Sequence, residues 1–391
     1  MNKEKIAFVC QRYGLEVNGG AELECRLWAE KLTSKYEVEV YTTCALDYMS
    51  WENYYPEGDE LIHDVLVHRY QTEEQRDLHK FGELGERVFQ DTSHREKDEI
   101  QWIKEQGPVS NSLLKDLFSK QKEYKTVIFM TYLYYLSAMG LPMGFENAIL
   151  IPTVHDEPPV HLPYYKNVFR GAKGFIWNTK AEKAFAQKIF PETENKPCAY
   201  AGVGVEIPKN VNEMPLPKEL KDTDYIVYAG RVDESKGCRE MFQSFTQYKK
   251  EYGRNIKLVV MGKEVIRVPK REDIVYLGFV SDEVKFKVLS EAKALVLFSK
   301  YESLSMVVLE SMSVGRPVLV NAKCDVLTDH CKDSNAGLYF DNYREFAEEL
   351  EYLLTHDEQY NVMCENGREY VEKNYRWDVI IDNISNLIEK F

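Results

Sequence analysis

Short apolar runs, separated by polar loops, recur along the whole chain. Ile6–Cys10, Val38–Thr43, Thr126–Tyr132, Ala148–Val154 and Gly174–Thr179 read as strands, and Thr126–Tyr132 and Ala148–Val154 are apolar enough for the middle of a parallel sheet. Asp64–Tyr70 alternates apolar and polar positions, and Cys198–Glu206 is strand-like but glycine-rich. Between these runs the spacing changes to threes and fours. Leu23, Leu27, Trp28, Ala29 and Leu32 share one helical face, as do Leu113, Leu114, Leu117 and Phe118 within 109–122. A further helix is expected over Ala181–Ile189, and the highly charged 72–106 stretch reads as mostly helical.

The second half repeats the alternation. Strands are expected at Tyr225–Ala229, Ile256–Gly262, Ile274–Val280, Ala294–Phe298, Pro317–Val320 and Gly337–Phe340. Helices are expected at Glu283–Ala292, Ser305–Val314, Tyr343–Leu354 and the amphipathic 377–391. Strands alternating with helices specify parallel α/β sheets. The 208–224 stretch, with three prolines and many charges, reads as an exposed connection. The expected division is a first domain over 1–205 with a helical insert at about 71–125, a linker at 206–224, a second domain over 225–375 and a closing helix at 376–391. A chain of 391 residues is long enough for two such cores.

Composition narrows the function. Hydrophobic residues make up 44% and charged residues 29%, a soluble globular mix with no run near the ~20 apolar residues of a membrane span. Met1–Lys5 leads into a strand without a signal-peptide core, so a cytoplasmic location is expected. The net charge of −14, shared evenly at −7 on either side of residue 205, argues against nucleic-acid binding. Lys115, Lys120, Lys122 and Lys125 read as a solvated face, with weak peripheral contact at the inner face of the cell membrane as the second reading. Eight cysteines show no metal or disulfide spacing and are expected to be reduced, mostly buried thiols.

The candidate chemistry gathers around Ser299–Val320. Glu302 lies in the loop before the expected helix, Glu310 eight positions later within it, and Ser303 and Ser305 stand where capping residues belong. A helix N-terminus attracts anions, yet a carboxylate beside it would repel a bare phosphate. A phosphate carrying hydroxylated groups, as in a sugar nucleotide, reconciles the two; two solvated carboxylates would also give this spacing. After Tyr225–Ala229, Gly230 permits a sharp turn, and Arg231 and Lys236 place two cations in one loop. Gly19-Gly20, after the first strand, opens either a backbone surface for a ligand or a plain turn. His155 closes a buried strand and is followed by Asp156, Glu157 and two prolines. Either carboxylate could orient it or face a second substrate. No G-x-G-x-x-G fingerprint points to NAD, and no well-placed D-x-D points to a metal.

Glu302–x7–Glu310 with S-V-G-R-P-V, together with G-R-V-D-E-S-K-G, N-G-G-A-E and P-T-V-H-D-E-P-P, resembles the signature of family 4 retaining glycosyltransferases. The resemblance is strongest over 225–320 and weakest over 71–125. It implies the GT-B fold: α/β, two Rossmann-like domains facing a central cleft, with the C-terminal helix crossing back to the first domain. It implies transfer of a hexose-type sugar, with retention and without a metal or other cofactor, from a nucleoside-diphosphate sugar to a glycan or lipid-linked acceptor hydroxyl. A UDP-sugar is favoured and a GDP-sugar is the second option. By the same resemblance Arg231 and Lys236 neutralise the pyrophosphate, and Glu302 holds sugar hydroxyls. Glu310 takes the ribose, and His155 contacts the donor sugar. Gly19, Gly20, Gly230, Val280, Ser303, Leu304 and Ser305 complete the donor site. Ser303-Leu304-Ser305 replaces the family's frequent Gly-Phe-Gly and implies a tighter donor pocket. A sugar-nucleotide epimerase, a phosphorylase or a non-catalytic partner subunit of the same fold are the rival readings.

Overall fold

The computed structural model describes residues 3–17, 19–91 and 93–391. Met1 and Asn2 of the N-terminal run and Asn18 of the N-G-G-A-E motif lie outside the described residues. The chain forms two compact units. One runs to Val203 and takes in Ile380–Phe391; the other is Gly204–Val379.

The first unit is built on eight strands: β1 (Lys5–Val9), β2 (Glu37–Thr43), β3 (Gly58–Ile62), β4 (Val65–Tyr70), β5 (Thr126–Met130), β6 (Ala148–Ile151), β7 (Gly174–Trp177) and β8 (Cys198–Tyr200). Their order is β3-β4-β2-β1-β5-β6-β7-β8, parallel except for the β3–β4 hairpin. β5, β6 and β7 are buried at every position, which is why their sequences run apolar without alternation. β3, Gly-Asp-Glu-Leu-Ile, has no such run; it is an exposed antiparallel edge strand. The 71–125 stretch holds three α-helices, Leu78–Gln90, Glu96–Gln106 and Asn111–Lys120. It is less an insert than a layer of the core, since Trp102, Ile103, Leu113, Leu114 and Leu117 pack with Phe129 and Tyr165 in one buried cluster. Of the four lysines nearby, Lys120 pairs with Asp116 at 2.7 Å, and Lys125 bridges Glu4 and Glu389 at 2.8 Å each.

The second unit has six parallel strands: β9 (Asp224–Ala229), β10 (Ile256–Met261), β11 (Ile274–Gly278), β12 (Ala294–Leu297), β13 (Val318–Asn321) and β14 (Gly337–Phe340), ordered β11-β10-β9-β12-β13-β14. Numbering runs outward in both directions from the β9–β12 neighbours. The loops leaving these two strands therefore diverge from one point, where open α/β sheets bind ligands. The 206–224 stretch groups with this unit and is mostly exposed, as the sequence suggests, with Val211 and Leu220 buried in two short 3-10 turns. The helices Cys238–Tyr252, Asp325–Ser334 and Asp357–Asn374 had no counterpart among the sequence expectations. The last buries only Cys364, Gly367 and Val371, too thin a stripe to stand out. The closing helix is Trp377–Ile388, with Ile380, Ile381, Ile384, Leu387 and Ile388 buried.

Two glycines hold the loops after β9 and β10 together. Gly262 has φ +133°, and a Cβ there would lie 1.9 Å from the Gly230 carbonyl oxygen. Gly262→Ala should therefore lower stability by about 2–4 kcal/mol. A urea midpoint equal to wild type would show that these loops separate freely.

Candidate functional site

In the second unit, β9 delivers Gly230 at φ +150°, and the chain folds back so that Tyr228 Oη donates to the Arg231 carbonyl at 2.7 Å. The buried Asp233 organises the loop. Its carboxylate accepts from Arg231 Nε, from Ser235 Oγ at 2.6 Å and from the Lys236 backbone N–H at 3.0 Å. Burial pushes this carboxyl up, but the hydrogen bonds outweigh it and its pKa is lowered. Gly237 (φ +69°) lets the next helix start against β12; a Cβ there would sit 2.4 Å from the Phe298 carbonyl oxygen. The loops after β9 and β12 then meet through side chains, with Lys236 Nζ 2.8 Å from Glu302 Oε1.

The loop after β12 runs through Glu302, half-buried Ser303 and buried Leu304 into the helix Met306–Ser313. Ser305 is the N-cap, but neither serine caps through its side chain as the sequence suggested. Ser305 is in the left-handed region, φ +63° and ψ +73°, and makes no side-chain cap hydrogen bond. This is where the resembling family often carries glycine, and the left-handed backbone supplies a physical reason. Glu310, inside the helix, lies 2.7 Å from Lys285 Nζ, which also reaches Asp282 at 2.9 Å. Burial pushes the Glu310 carboxyl up, with Lys285 opposing it. Val280 follows β11, the edge strand two places from β9. The structure thus brings Arg231, Lys236, Glu302 and the 303–305 loop to the β9–β12 point, and leaves Val280 at the sheet edge.

In the first unit, Gly19 and Gly20 separate in role. A Cβ on Gly19 would lie 2.0 Å from Glu22 Oε2 and 3.0 Å from Arg12 Nη2, so Gly19 makes room for the buried Arg12–Glu22 pair (Nη2–Oε1 2.5 Å). A Cβ on Gly20 would meet nothing within 4 Å, so its backbone stays open. Arg12 was not singled out by sequence. It also donates to the Leu46 carbonyl at 2.9 Å, a contact no local pattern reveals.

His155 stands in the loop after β6, its Nε2 3.5 Å from Glu157 Oε2. Tyr132 Oη donates to the other Glu157 oxygen at 2.7 Å, whereas Asp156 pairs with His161 at 2.7 Å. Glu157 is therefore the carboxylate that faces the histidine. The loop is pinned from below. Thr153 has φ +51°, and the buried Glu182 accepts from the Val154 N–H at 2.8 Å and the Asn178 N–H at 2.6 Å. Asn178 Nδ2 reaches on to Glu24 at 3.3 Å. Burial, and then the nearby Glu182 charge, pushes Glu24 up to about 8. Burial raises Glu182 too, against several backbone donors that favour its ionised form. Both carboxyls are thus raised to about 8, and the pair keeps protons into the neutral range.

Among the described residues no group of three or more His, Cys, Asp or Glu side chains could hold a metal ion. No helix among them is long and apolar enough to cross a membrane. All eight cysteines are free, and every one except Cys198 is buried.

Residues 212–370 match the family model "Glycosyl transferases group 1", so the second unit carries a domain of that type. The chain is 23% identical over 198 residues to the capsular polysaccharide biosynthesis glycosyltransferase CapM of Staphylococcus aureus, covering 48% of this chain and 51% of CapM. It is 26% identical over 179 residues to the alpha-D-kanosaminyltransferase of Streptomyces kanamyceticus, covering 43% and 46%. The chain thus spans about half the length of these relatives. The solved structure of Anabaena HepE, in complex with UDP and glucose, superposes with a TM-score of 0.70 at 14% identity, covering 99% of this chain and 100% of HepE. The fold is that of the GT-B glycosyltransferases.

The protonation of the Glu24–Glu182 pair has a consequence in pH. The native state holds a proton that the unfolded chain releases above the ordinary carboxyl value of 4.5. Stability therefore falls as pH rises from about 5 to about 8 and levels off above, by up to about 1.4 kcal/mol per pH unit for one proton. Glu24→Gln should lessen that decline in urea titrations between pH 5 and 9, with Glu182 carrying the remainder. Superimposable wild-type and variant profiles would refute the assignment.

Proposed function

We propose that the protein is a retaining glycosyltransferase that moves a hexose-type sugar from a nucleoside-diphosphate sugar to a glycan or lipid-linked acceptor hydroxyl without a metal. The observation that carries this reading is the Lys236–Glu302 contact of 2.8 Å at the β9–β12 point, beside the start of the Met306–Ser313 helix. A cation suited to phosphate and a carboxylate suited to hydroxyls here occupy each other. A donor supplies both with better partners: its diphosphate draws Lys236, and its sugar hydroxyls donate to the released Glu302.

In the reaction the C1–O bond to the diphosphate breaks and the acceptor oxygen bonds to C1 on the same face. The acceptor proton passes to the departing phosphate oxygen. Arg231, Lys236 and the backbone N–H groups at the helix start stabilise the charge that develops on the diphosphate, the role a divalent cation fills elsewhere. Glu310 accepts from the ribose hydroxyls, and we assign His155, faced by Glu157, to recognition of the sugar. The UDP in the HepE structure favours a UDP-sugar donor, and the capsular role in the name of CapM favours a surface glycan as product.

Thermal-shift measurements with UDP-, GDP-, ADP- and dTDP-sugars, without metal, test the reading. At 100 times its Kd a donor adds about 2.7 kcal/mol to the native state, a rise of several degrees in Tm. One nucleotide family should give that shift in wild type, and Glu310→Ala and Lys236→Ala should lose it. Folded protein that responds to none of these donors would sink the proposal.

A further inference from the structure

The donor loop is held from behind by a residue that no motif marks. His330, on the helix Asp325–Ser334, is 2% exposed, and its Nε2 lies 2.8 Å from the Leu304 carbonyl oxygen. A carbonyl can only accept, so Nε2 carries the proton. Burial lowers the pKa of this ring and keeps it neutral, which leaves Nδ1 as an acceptor. Tyr370 Oη, 3.1 Å away, donates to it, and Tyr370 Oη is in turn 3.4 Å from Tyr375 Oη. The tautomer is fixed from both sides by groups on separate elements.

The Leu304–Ser305 peptide is trans, so its C=O and N–H point in opposite directions. Drawing the carbonyl inward to His330 turns the Ser305 N–H outward, away from the buried ring. The next residue bears the cost of this orientation as backbone strain: Ser305 adopts φ +63°, unfavourable for a residue with a side chain. Without an inward partner, the peptide could rotate and relieve that strain.

We propose that His330 is a positioning residue that locks the Leu304–Ser305 peptide, so that the Ser305 N–H faces the space in front of the Met306–Ser313 helix and serves there as an anion donor. The anion it serves rests on the glycosyltransferase reading, in which it is the donor diphosphate. The lock itself does not.

Three variants separate the two parts. His330→Phe keeps the ring volume and removes the donor. His330→Gln keeps an N–H near the Nε2 position. Ser305→Gly, added to His330→Phe, removes the side chain that disfavours the left-handed backbone. Hydrogen–deuterium exchange over 302–307 should quicken at least tenfold in His330→Phe, stay near wild type in His330→Gln, and recover in part in the double variant. Affinity for UDP or GDP, whichever binds wild type more tightly, should follow the same order, with about a tenfold loss in His330→Phe. If His330→Phe does not fold, Tyr370→Phe, which frees Nδ1, should quicken exchange in the same segment by a smaller factor. Unchanged exchange overturns the lock. Faster exchange with unchanged nucleotide affinity overturns its role in anion binding. Wild type that binds neither nucleotide overturns the diphosphate as the anion, while the exchange comparison still decides the lock.

Discussion

Everything proposed for the second unit depends on β9 and β12 lying side by side, although some sixty-five residues separate them in sequence. Their parallel pairing sends both outgoing loops to the same end of the sheet. Gly237 then allows the helix after β9 to close on the Phe298 carbonyl, and Lys236 reaches Glu302. Opposite charges brought together in this way need little reorganisation to receive a ligand with opposite demands. Asp233 adds order: with Arg231, Ser235 and the Lys236 backbone bound to one carboxylate, the loop keeps its shape while the Lys236 ammonium changes partners.

The first unit relies on buried polar groups of a different kind. Arg12–Glu22 and Glu24–Asn178–Glu182 lie beneath the loops that follow β1, β6 and β7. Neither cluster adds apolar area. Their contribution is geometric: one occupies the space that Gly19 leaves, and the other fixes the strained turn at Thr153 that presents His155. Buried polar groups of this sort are destabilising unless satisfied, and this unit offsets part of that penalty by keeping the Glu24–Glu182 pair protonated.

Most strands were legible in the sequence to within a residue or two, because a strand buried on both faces must be written as an apolar run, but the expected Ala148–Val154 and Cys198–Glu206 run past the ends of β6 at Ile151 and β8 at Tyr200. β3 was not, since four of its five residues are exposed and its pairing comes from a hairpin with β4. The long helix Asp357–Asn374 was hidden for the related reason that it buries so little. At the site, Arg231, Lys236, Glu302 and Glu310 were legible because their spacing lies within single strand–loop–helix units. Lys285 and His330 were not: each meets its partner across about twenty-five residues and between different helices and loops. Ser305 was misread as an ordinary cap because sequence shows a hydroxyl and conceals a dihedral angle.

The division at Val203 and Val379 also constrains the order in which the protein can be completed on the ribosome. The second unit is one uninterrupted stretch, and it is synthesised whole before Ile380 is added. The first unit begins earlier and lacks Ile384, Leu387 and Ile388, all buried in the finished molecule, until the last segment appears. Its apolar surface must wait through the synthesis of an entire second domain. The part of the chain made first is thus the part finished last, and the nascent protein carries its greatest exposure to aggregation in its N-terminal half.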